Sequence, residues 1–247
     1  MLSALNERAG LLPEPSPDTQ TADGSQMKWR AHVALRALLA GAAGLATARQ
    51  PFRVTPGGKP TLEPAPLAPP AGPREALHFS LAHCGDGALI ALSRTGPIGT
   101  DLEFRRAVRI RAHRRALIEQ ASVVLTGQPL APADADDRFL VAWVRLEAAA
   151  KATGEGIAAL LRRLGARGAV QTAPDTETLA ADGWAVTDLT VPGRPDAFAA
   201  VAQTSSILPN GETARATLVR ELPLDPASLE ALVSQNWSPF TFERPLT

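Results

Sequence analysis

The segment DADDRFLVAWVRLEAAAKATG, residues 134–154, carries the clearest helix signal in the second half of the chain. Three aspartates stand at its start, where acidic side chains interact favourably with the helix dipole, and Gly154 is a typical helix end. Trp143, Glu147 and Lys151 follow one another at four-residue spacing and therefore share one stripe of the helix. The segment predicts a long helix that presents a carboxylate and an ammonium group in line with a tryptophan.

The composition is that of an ordinary globular protein without a dominant charge. The 247 residues are 45% hydrophobic, and 25 acidic side chains balance 25 basic ones, so no global field favours nucleic acid or a membrane surface. A single cysteine, Cys84, allows no disulfide within this sequence and suits a reducing compartment. The N-terminal region lacks the apolar stretch of a signal peptide, and the apolar run 31–48 is interrupted by His32 and Arg36. We expect a cytoplasmic protein, without a membrane span and monomeric.

The first half of the chain predicts a long helix followed by short strands. Residues 26–47 predict the helix, with Ser25 as its N-cap and with a buried stripe made of Val33, Leu35, Leu38, Leu39 and Leu45. The segment PFRVTPGGKPTL (51–62) predicts a short strand, a Gly-Gly turn and an extended exit, and the proline-rich segment 63–73 predicts an irregular loop. Three strand candidates follow, LHFSLAHC (77–84), ALIALS (88–93) and IGTDLEF (98–104), the first two joined as a hairpin by a tight turn.

The second half repeats this order of elements. An arginine-rich helix is expected to start near residue 108, and the helix at 134–154 precedes a hairpin formed by WAVTDLTV (184–191) and AFAAVAQT (197–204). A long helix plus a hairpin in each half predicts an α+β fold, although the two halves share no recognisable sequence identity. We divide the chain into a loose lead-in (1–25), an N-terminal half (26–106), a C-terminal half (107–205) and a tail of unknown role (206–247).

The segment GTDLE (99–103) places two carboxylates on one face of a strand. Side chains alternate along a strand, so Asp101 and Glu103 point the same way, and two carboxylates so close repel each other unless a cation lies between them. With Glu147 from a neighbouring helix they form a three-oxygen set with open positions, which is typical of a magnesium site acting on a phosphorylated substrate. Lys151, one turn beyond Glu147, then lies where it can neutralise phosphate.

Each of these features has an ordinary structural interpretation when it is taken alone. A D-x-E pair is most often a solvated strand face, and E-x-x-x-K is a common ion pair on an exposed helix. His83 between apolar residues is more often a hydrogen-bonded core histidine than a ligand contact, and residues 57–60 are consistent with a simple turn.

Taken together and in order, the motifs resemble the surfactin-type 4′-phosphopantetheinyl transferases. They are GGKP (57–60), FSLAHC (79–84), GTDLE (99–103) and WVRLEAAAK followed by ATGEG (143–156). The resemblance covers roughly residues 28–204, and several coupled motifs are far more specific than any one of them.

The resemblance implies a pseudo-twofold pair of subdomains, each a long helix packed on a small antiparallel sheet. It implies transfer of the phosphopantetheine arm of coenzyme A to a serine of a carrier protein of polyketide, nonribosomal peptide or fatty-acid assembly, with release of 3′,5′-ADP. The implied magnesium ligands are Asp101, Glu103 and Glu147, and Glu147 is also the implied base for the serine hydroxyl. Lys151 is implied to neutralise the pyrophosphate, and Lys59 and His83 to contact coenzyme A phosphates, the histidine at the 3′-phosphate. Arg30 and Arg36 are candidates for further phosphate contacts, with a solvated helix face as the alternative.

The sequence departs from the family pattern at several positions. Thr100 replaces an aliphatic residue, Ala82 and Cys84 replace serines beside His83, and Leu146 replaces a lysine, with Arg145 next to it. The N-terminal region also lacks a recognisable basic segment. These departures leave open a non-catalytic relative that binds coenzyme A or a carrier protein.

The basic run FRRAVRIRAHRR (104–115) has three possible interpretations. It is a solvated face, or it attracts an acidic carrier protein, or it binds nucleic acid, which the zero net charge and the lack of interleaved aromatic residues disfavour.

Overall fold

The computed structural model describes residues 23–62, 77–168, 184–204, 206–207 and 213–214. The expected lead-in before residue 23, the loop at 63–73 and the tail, apart from its two short strands, lie outside the described residues. The described residues form a mixed α/β structure of helices and small antiparallel sheets.

The described elements, in chain order, alternate between helices and strand pairs. They are α1 (Asp23–Ala43), α2 (Leu45–Ala48), β1 (Phe52–Val54), β2 (Pro60–Leu62), β3 (His78–Cys84), β4 (Gly87–Ser93), β5 (Ile98–Phe104), α3 (Ala112–Thr126), α4 (Ala135–Thr153), α5 (Ile157–Gly168), β6 (Trp184–Leu189), β7 (Ala197–Thr204), β8 (Ser206–Ile207) and β9 (Thr213–Ala214).

The two predicted hairpins form, and further strand pairs are added to them. The pairs β3–β4 and β6–β7 are antiparallel hairpins, as expected, and the extended exit after the Gly-Gly turn pairs with β1 as β2, while β8 pairs with β9. Strand β5 pairs with β7 and completes a three-stranded sheet in the order β5-β7-β6. Asp101 thereby lies opposite Ala200, and Glu103 lies opposite Phe198. The strand with the two carboxylates thus belongs to the same sheet as the last long hairpin.

Helix α1 packs on the β3–β4 hairpin through one hydrophobic core. Val33, Leu35 and Leu39 are fully buried, and Phe79 of β3 belongs to the same cluster. The expected bounds need correction, because the helix already begins at Asp23, so Ser25 is not its N-cap. Gly44, at φ 85°, separates the short helix α2 from α1. Leu45 is therefore on α2 and only partly buried.

Helix α4 forms over almost the full predicted range and is the centre of the larger core. The Asp134 carboxylate caps it by accepting hydrogen bonds from the backbone N–H groups of Asp136 (2.8 Å) and Asp137 (3.0 Å). Such a cap satisfies donors that have no partner within the helix. At the other end Gly154 takes the left-handed conformation, as predicted. Trp143 packs against the core and stacks on Phe139, with 6.0 Å between ring centroids.

The arginine-rich segment is extended before it becomes helical, which corrects the expected helix start near residue 108. Helix α3 begins at Ala112, and arginines on both sides of this start bind the acidic start of α4. The Arg105 guanidinium pairs with Asp137 at 2.9 Å, and Arg115 pairs with Asp136 at 2.7 Å. Arg115 also donates to the Val108 carbonyl at 3.0 Å, which holds the extended segment in place.

The β6–β7 loop holds the β3–β4 turn against the three-stranded sheet. The Arg194 guanidinium lies 3.9 Å from the centre of the Phe104 ring and pairs with Asp86 at 3.0 Å. Phe104 itself leaves no room for a side chain at Gly87. The two sheets are therefore joined at this end by an aromatic ring between two turns.

A search of the described helices found none with the length and apolar character needed to cross a membrane.

Strand β5 crosses α4 in direct backbone contact, and this contact depends on Gly99. A Cβ atom built on Gly99 would collide with the Ala148 carbonyl oxygen and the Ala152 nitrogen of α4. The opposite strand presents Ala200 and Ala202, both fully buried, to the same core. Small residues on both sides let the strand approach the helix axis, which brings the side chains of Asp101 and Lys151 within contact.

We expect Gly99→Val to lower the free energy of unfolding by at least about 2 kcal/mol, because the added methyl groups overpack a contact between two backbones. Urea unfolding followed by circular dichroism measures the change. Gly165→Ala is the matched control, since Gly165 lies in α5 with open space around its Cα; it should stabilise the protein by about 0.5–1 kcal/mol. Equal stability of Gly99→Val and wild type would contradict the close contact.

Candidate functional site

Asp101 and Lys151 form the central contact of the site. The Lys151 ammonium donates to Asp101 Oδ1 at 2.6 Å, and the two side chains are only 29% and 11% exposed. Asp101 comes from the middle of β5 and Lys151 from the last turn of α4, where a cation also suits the helix dipole. The two motifs that the sequence places 50 residues apart thus meet in one ion pair.

The environment of Asp101 disfavours its charged form. Burial raises the pKa of this carboxyl to about 6, against the lowering effect of Lys151, and the negative charges of Glu147 and Glu103 raise it further. Burial also raises the pKa of Glu147, and Glu103 adds to the effect while Lys151 opposes it. Each of the three predicted metal-ligand carboxylates therefore lies within electrostatic reach of another.

Glu103 is mostly buried, with 16% of its side chain exposed. Its Oε2 accepts a hydrogen bond from Arg106 at 3.0 Å and from the Cys84 thiol at 3.5 Å. Burial raises the pKa of Cys84, and the neighbouring Glu103 charge acts in the same direction. The thiol therefore stays protonated and donates to the carboxylate, as a serine hydroxyl at this position would.

The GGKP turn docks on the C-terminal end of α4. Gly57 lies so close to this helix end that a Cβ atom would collide with the Gly154 carbonyl oxygen. The turn itself is closed by the Thr55 N–H, which donates to the Lys59 carbonyl at 2.9 Å, and by the Lys59 N–H, which donates to Thr55 Oγ1 at 3.0 Å. The docked turn carries the Lys59 side chain toward the start of β5.

Lys59 is a partly buried cation whose only hydrogen-bond partner among the described residues is neutral. Its ammonium donates to the Ile98 carbonyl at 2.7 Å. Burial lowers the pKa of Lys59 to about 8, and its charge contributes to a lowered pKa of the nearby, partly buried His78. A partly desolvated ammonium without a counter-charge is costly, and an anionic ligand would supply that charge.

A cavity of about 520 Å³ joins these segments. Lys59, Glu147 and Lys151 all line it, together with Ser80 and Leu81 of β3. Its remaining wall is the segment from Glu155 to Arg162, which includes the first turns of α5. The cavity thus joins residues of three of the four predicted motifs, and the fourth, GTDLE, reaches it through the bond of Asp101 to Lys151.

His83 lies outside the cavity lining, on the side of β3 near α1. Its side chain is exposed, and its charge is felt by His32 of α1. The pKa of His32 is lowered, first by burial and then by the positive charges of Lys28, His83 and Arg36. Helix α1 therefore brings further nitrogen groups near His83, although the N-terminal region shows no obvious basic motif.

The two arginines proposed on α1 have different environments. Arg30 is exposed. Arg36 is 6% exposed, and its guanidinium donates to the carbonyls of Ala48 and Gln50 and stacks over Phe52. We therefore correct the expectation for Arg36: it holds the chain that leaves α2, and its hydrogen bonds go to backbone.

Leu146 is a core residue, which explains one departure from the motif. It is fully buried in the core that α4 shares with the sheet. Arg145 binds Asp188 of β6 through two bonds of 2.8 and 2.6 Å. The arginine thus fixes α4 to the sheet. Thr100 joins β5 to β7, because its hydroxyl donates to the Ala200 carbonyl at 2.8 Å.

The donor set is chemically suited to magnesium, although its oxygens are held by protein cations. Among the described residues, no group of three or more histidine, cysteine, aspartate or glutamate side chains is arranged to hold a metal ion. Asp101 is bonded to Lys151, and Glu103 to Arg106. The three carboxylates repel one another, and one of them is already bound to an ammonium group. Carboxylate oxygens are the type of donor that a hard cation prefers.

The motifs did not identify Arg162 as a cavity residue. The lining also includes Glu155, which pairs with Arg163 at 2.6 Å and accepts from Thr153 Oγ1 at 3.0 Å. Glu155 is the middle residue of the G-x-G segment, whereas Arg162 follows it in an alanine- and leucine-rich helix whose sequence carries no recognisable binding motif. Only the docking of the GGKP turn on Gly154 makes them part of a cavity.

Comparison with known proteins gives no assignment, since neither a family model nor a curated protein matches the sequence.

The raised pKa of Asp101 predicts a pH-dependent stability. In the folded protein this carboxyl has a pKa of about 6, compared with about 3.9 in an unfolded chain. The folded state then binds more protons between these values, so the free energy of unfolding falls as the pH rises from about 4 to about 6 and levels off above. The total change is about 2–3 kcal/mol, since each pH unit between the two pKa values corresponds to about 1.4 kcal/mol.

Urea unfolding of wild type and Asp101→Asn at several pH values, with a chelator present, tests this expectation. In Asp101→Asn most of the pH-dependent decrease in the free energy of unfolding should disappear, and only the smaller part that comes from Glu147 should remain. Asp86→Asn, which changes an exposed carboxylate, should show the same decrease as wild type. A wild-type stability that rises over the same pH window would contradict the assignment.

Proposed function

We propose that the protein is a magnesium-dependent 4′-phosphopantetheinyl transferase that moves the phosphopantetheine arm of coenzyme A to a serine of an acyl or peptidyl carrier protein. One observation carries the proposal. Lys59, Glu147 and Lys151, predicted from two separate motifs, line the same cavity, and Asp101 from a third motif is bonded to Lys151. Four residues from distant segments, each predicted from the sequence to serve the same reaction, thus lie together.

The proposed reaction exchanges the phosphoanhydride bond of the coenzyme A pyrophosphate for a phosphoester bond to serine. The serine oxygen attacks the phosphorus that carries the pantetheine arm, a new P–O bond forms, and the P–O bond to 3′,5′-ADP breaks. Glu147 takes the serine proton. Its raised pKa, caused first by burial, makes it a better proton acceptor than an ordinary glutamate. Its place in the cavity wall puts it beside the substrate.

The cations of the site would bind the charged groups of coenzyme A. Among the described residues the Lys59 ammonium has only a carbonyl partner, so it is available to a phosphate. Lys151, now bonded to Asp101, would donate to the pyrophosphate, and Asp101 would then be free to hold a cation. Phosphoryl transfer depends mainly on such positioning and charge neutralisation.

Asp101, Glu103 and Glu147 would hold the magnesium ion. When bound there, it would neutralise pyrophosphate charge and help to stabilise the leaving group.

The proposal includes the pseudo-twofold arrangement of the family. Two packing relationships support it: α1 packs on β3 and β4, and α4 packs on β5 and β7. In each case a long helix covers a small antiparallel sheet. The basic residues near His83 on α1 would then face the 3′-phosphate.

We expect Glu147→Gln to reduce transfer to a carrier protein at least about 100-fold, since general base catalysis contributes about 10²–10⁴-fold. The amide keeps the shape of the side chain and removes its proton affinity. Mass spectrometry of an apo carrier protein, incubated with coenzyme A and magnesium, measures transfer as a gain of one phosphopantetheine group. Asp196→Asn, which changes an exposed carboxylate paired with Arg194 outside the cavity, is the control and should transfer normally.

The same experiment separates the enzyme from a non-catalytic binding protein. Transfer by wild type supports the proposal, whereas coenzyme A binding without any mass gain would replace it by a binding module. Unchanged transfer by Glu147→Gln would exclude the proposed base.

The basic segment before and within α3 supports an acidic carrier as partner. Three of its arginines, Arg105, Arg106 and Arg115, pair with acidic residues of this chain. Three others, Arg109, Arg111 and Arg114, are exposed and form no ion pair with any described residue. An exposed Leu117 lies one turn beyond His113 on the same helix. Uncompensated arginines beside an apolar side chain suit a helix of an acidic protein.

We expect the triple variant Arg109→Gln, Arg111→Gln, Arg114→Gln to raise KM for an acidic carrier protein about tenfold or more, with an unchanged KM for coenzyme A. The three charges attract the carrier over a distance, so the wild-type rate should fall with added salt and the rate of the variant should fall less. Steady-state kinetics at several salt concentrations measures both effects. An unchanged carrier KM would identify the segment as a solvated face only.

A further inference from the structure

Arg162 is the one charged residue of the cavity wall that the motifs do not explain. It lies on α5, in a segment without binding motif, and its side chain is exposed. No described residue forms a hydrogen bond or an ion pair with it. An arginine that faces a cavity without a partner is available to a ligand.

Two of the other charged residues of the cavity are paired within the protein, while Glu147 forms no ion pair with a described residue. Lys151 is paired with Asp101, and Glu155 is paired with Arg163, each at 2.6 Å. Two cations are then left without a carboxylate partner among the described residues: Lys59, which has a carbonyl, and Arg162. The cavity therefore offers two separate positive charges to a ligand.

Helix α5 presents Arg162 on an otherwise small surface. Among the residues of α5 whose side chains are described, Ala158, Arg162 and Gly165 form the exposed stripe, while Leu160 and Leu164 face the core. Ala159, next to the stripe, also lines the cavity. Small side chains let a ligand lie close to the helix, and the guanidinium has no neighbour on the stripe that restricts it.

The two cations come from different segments of the cavity wall. The turn with Lys59 touches Gly154 and Glu155, just before α5 begins. Arg162 follows Gly156 by six residues, which is about 9 Å along a helix axis. A ligand that pairs with both cations therefore carries two anionic groups.

We propose that Arg162 is a phosphate-binding residue of this cavity and that it acts with Lys59 on a ligand with more than one phosphate group. The proposal rests on the proposed function in taking coenzyme A as that ligand. A guanidinium presents two parallel N–H donors to phosphate oxygens, which gives both strength and direction.

Calorimetric titration with coenzyme A, and with its product fragment 3′,5′-ADP, tests the proposal. We expect Arg162→Gln to bind coenzyme A about tenfold more weakly, since it loses a charge-assisted pair of hydrogen bonds. Arg162→Lys should give an intermediate affinity, because lysine keeps the charge and loses the fork. The affinity of Arg162→Gln should also depend less on salt than that of wild type, which a purely structural role would not produce.

Arg105→Gln is the control, since it removes an exposed arginine that pairs with Asp137 outside the cavity, and it should bind coenzyme A like wild type. Equal affinity and equal salt dependence of Arg162→Gln and wild type would overturn the role of Arg162. If this occurs while wild type still modifies the carrier, only this inference fails. If wild type binds coenzyme A without transferring its arm, the proposed function fails and the comparison of affinities still decides the role of Arg162. If wild type does not bind coenzyme A at all, both fail.

Discussion

The close crossing of β5 over α4 is the contact on which the rest of the site depends. Gly99 removes the side chain that would keep the strand away from the backbone of Ala148 and Ala152. This explains why the helix is so rich in alanine: larger residues would fill the core equally well but would hold the carboxylates of β5 too far from the helix. The interior is dense enough that a single added methyl group at such a crossing must displace backbone.

The electrostatics of the site follow from that crossing. Once strand and helix are in contact, carboxylates from both share one partly buried region, and their pKa values rise because burial and mutual repulsion act together. Lys151 compensates the charge of Asp101, because a buried charge without a partner is strongly destabilising. Glu147 and Lys151 are the polar groups of α4 next to the cavity, while Leu146 and the alanines make most of its buried surface apolar and Arg145 binds Asp188 on the sheet side.

Much of the fold follows from local patterns, whereas the cavity does not. The predicted hairpins form because strand alternation and turn residues are local signals, and α4 forms because Asp134 and Gly154 mark its ends. The predicted start of α3 was wrong, because Arg105 and Arg115 bind aspartates more than twenty residues away in the sequence. Such tertiary contacts are not visible in a local pattern. Arg36 was misassigned for a similar reason: its partners are backbone carbonyls that no side-chain motif encodes. Arg162 became a candidate only through the docked turn.

The contact between Gly57 and Gly154 has a consequence for how such a protein is studied. This contact joins two segments nearly a hundred residues apart through backbone atoms alone. Scanning mutagenesis to alanine is commonly interpreted as the removal of a side chain. At Gly57 the same substitution inserts an atom, and it would separate the loop from the helix end rather than delete an interaction. A loss of ligand binding there would reflect displacement of the loop that carries Lys59, and no side-chain contact would have been removed.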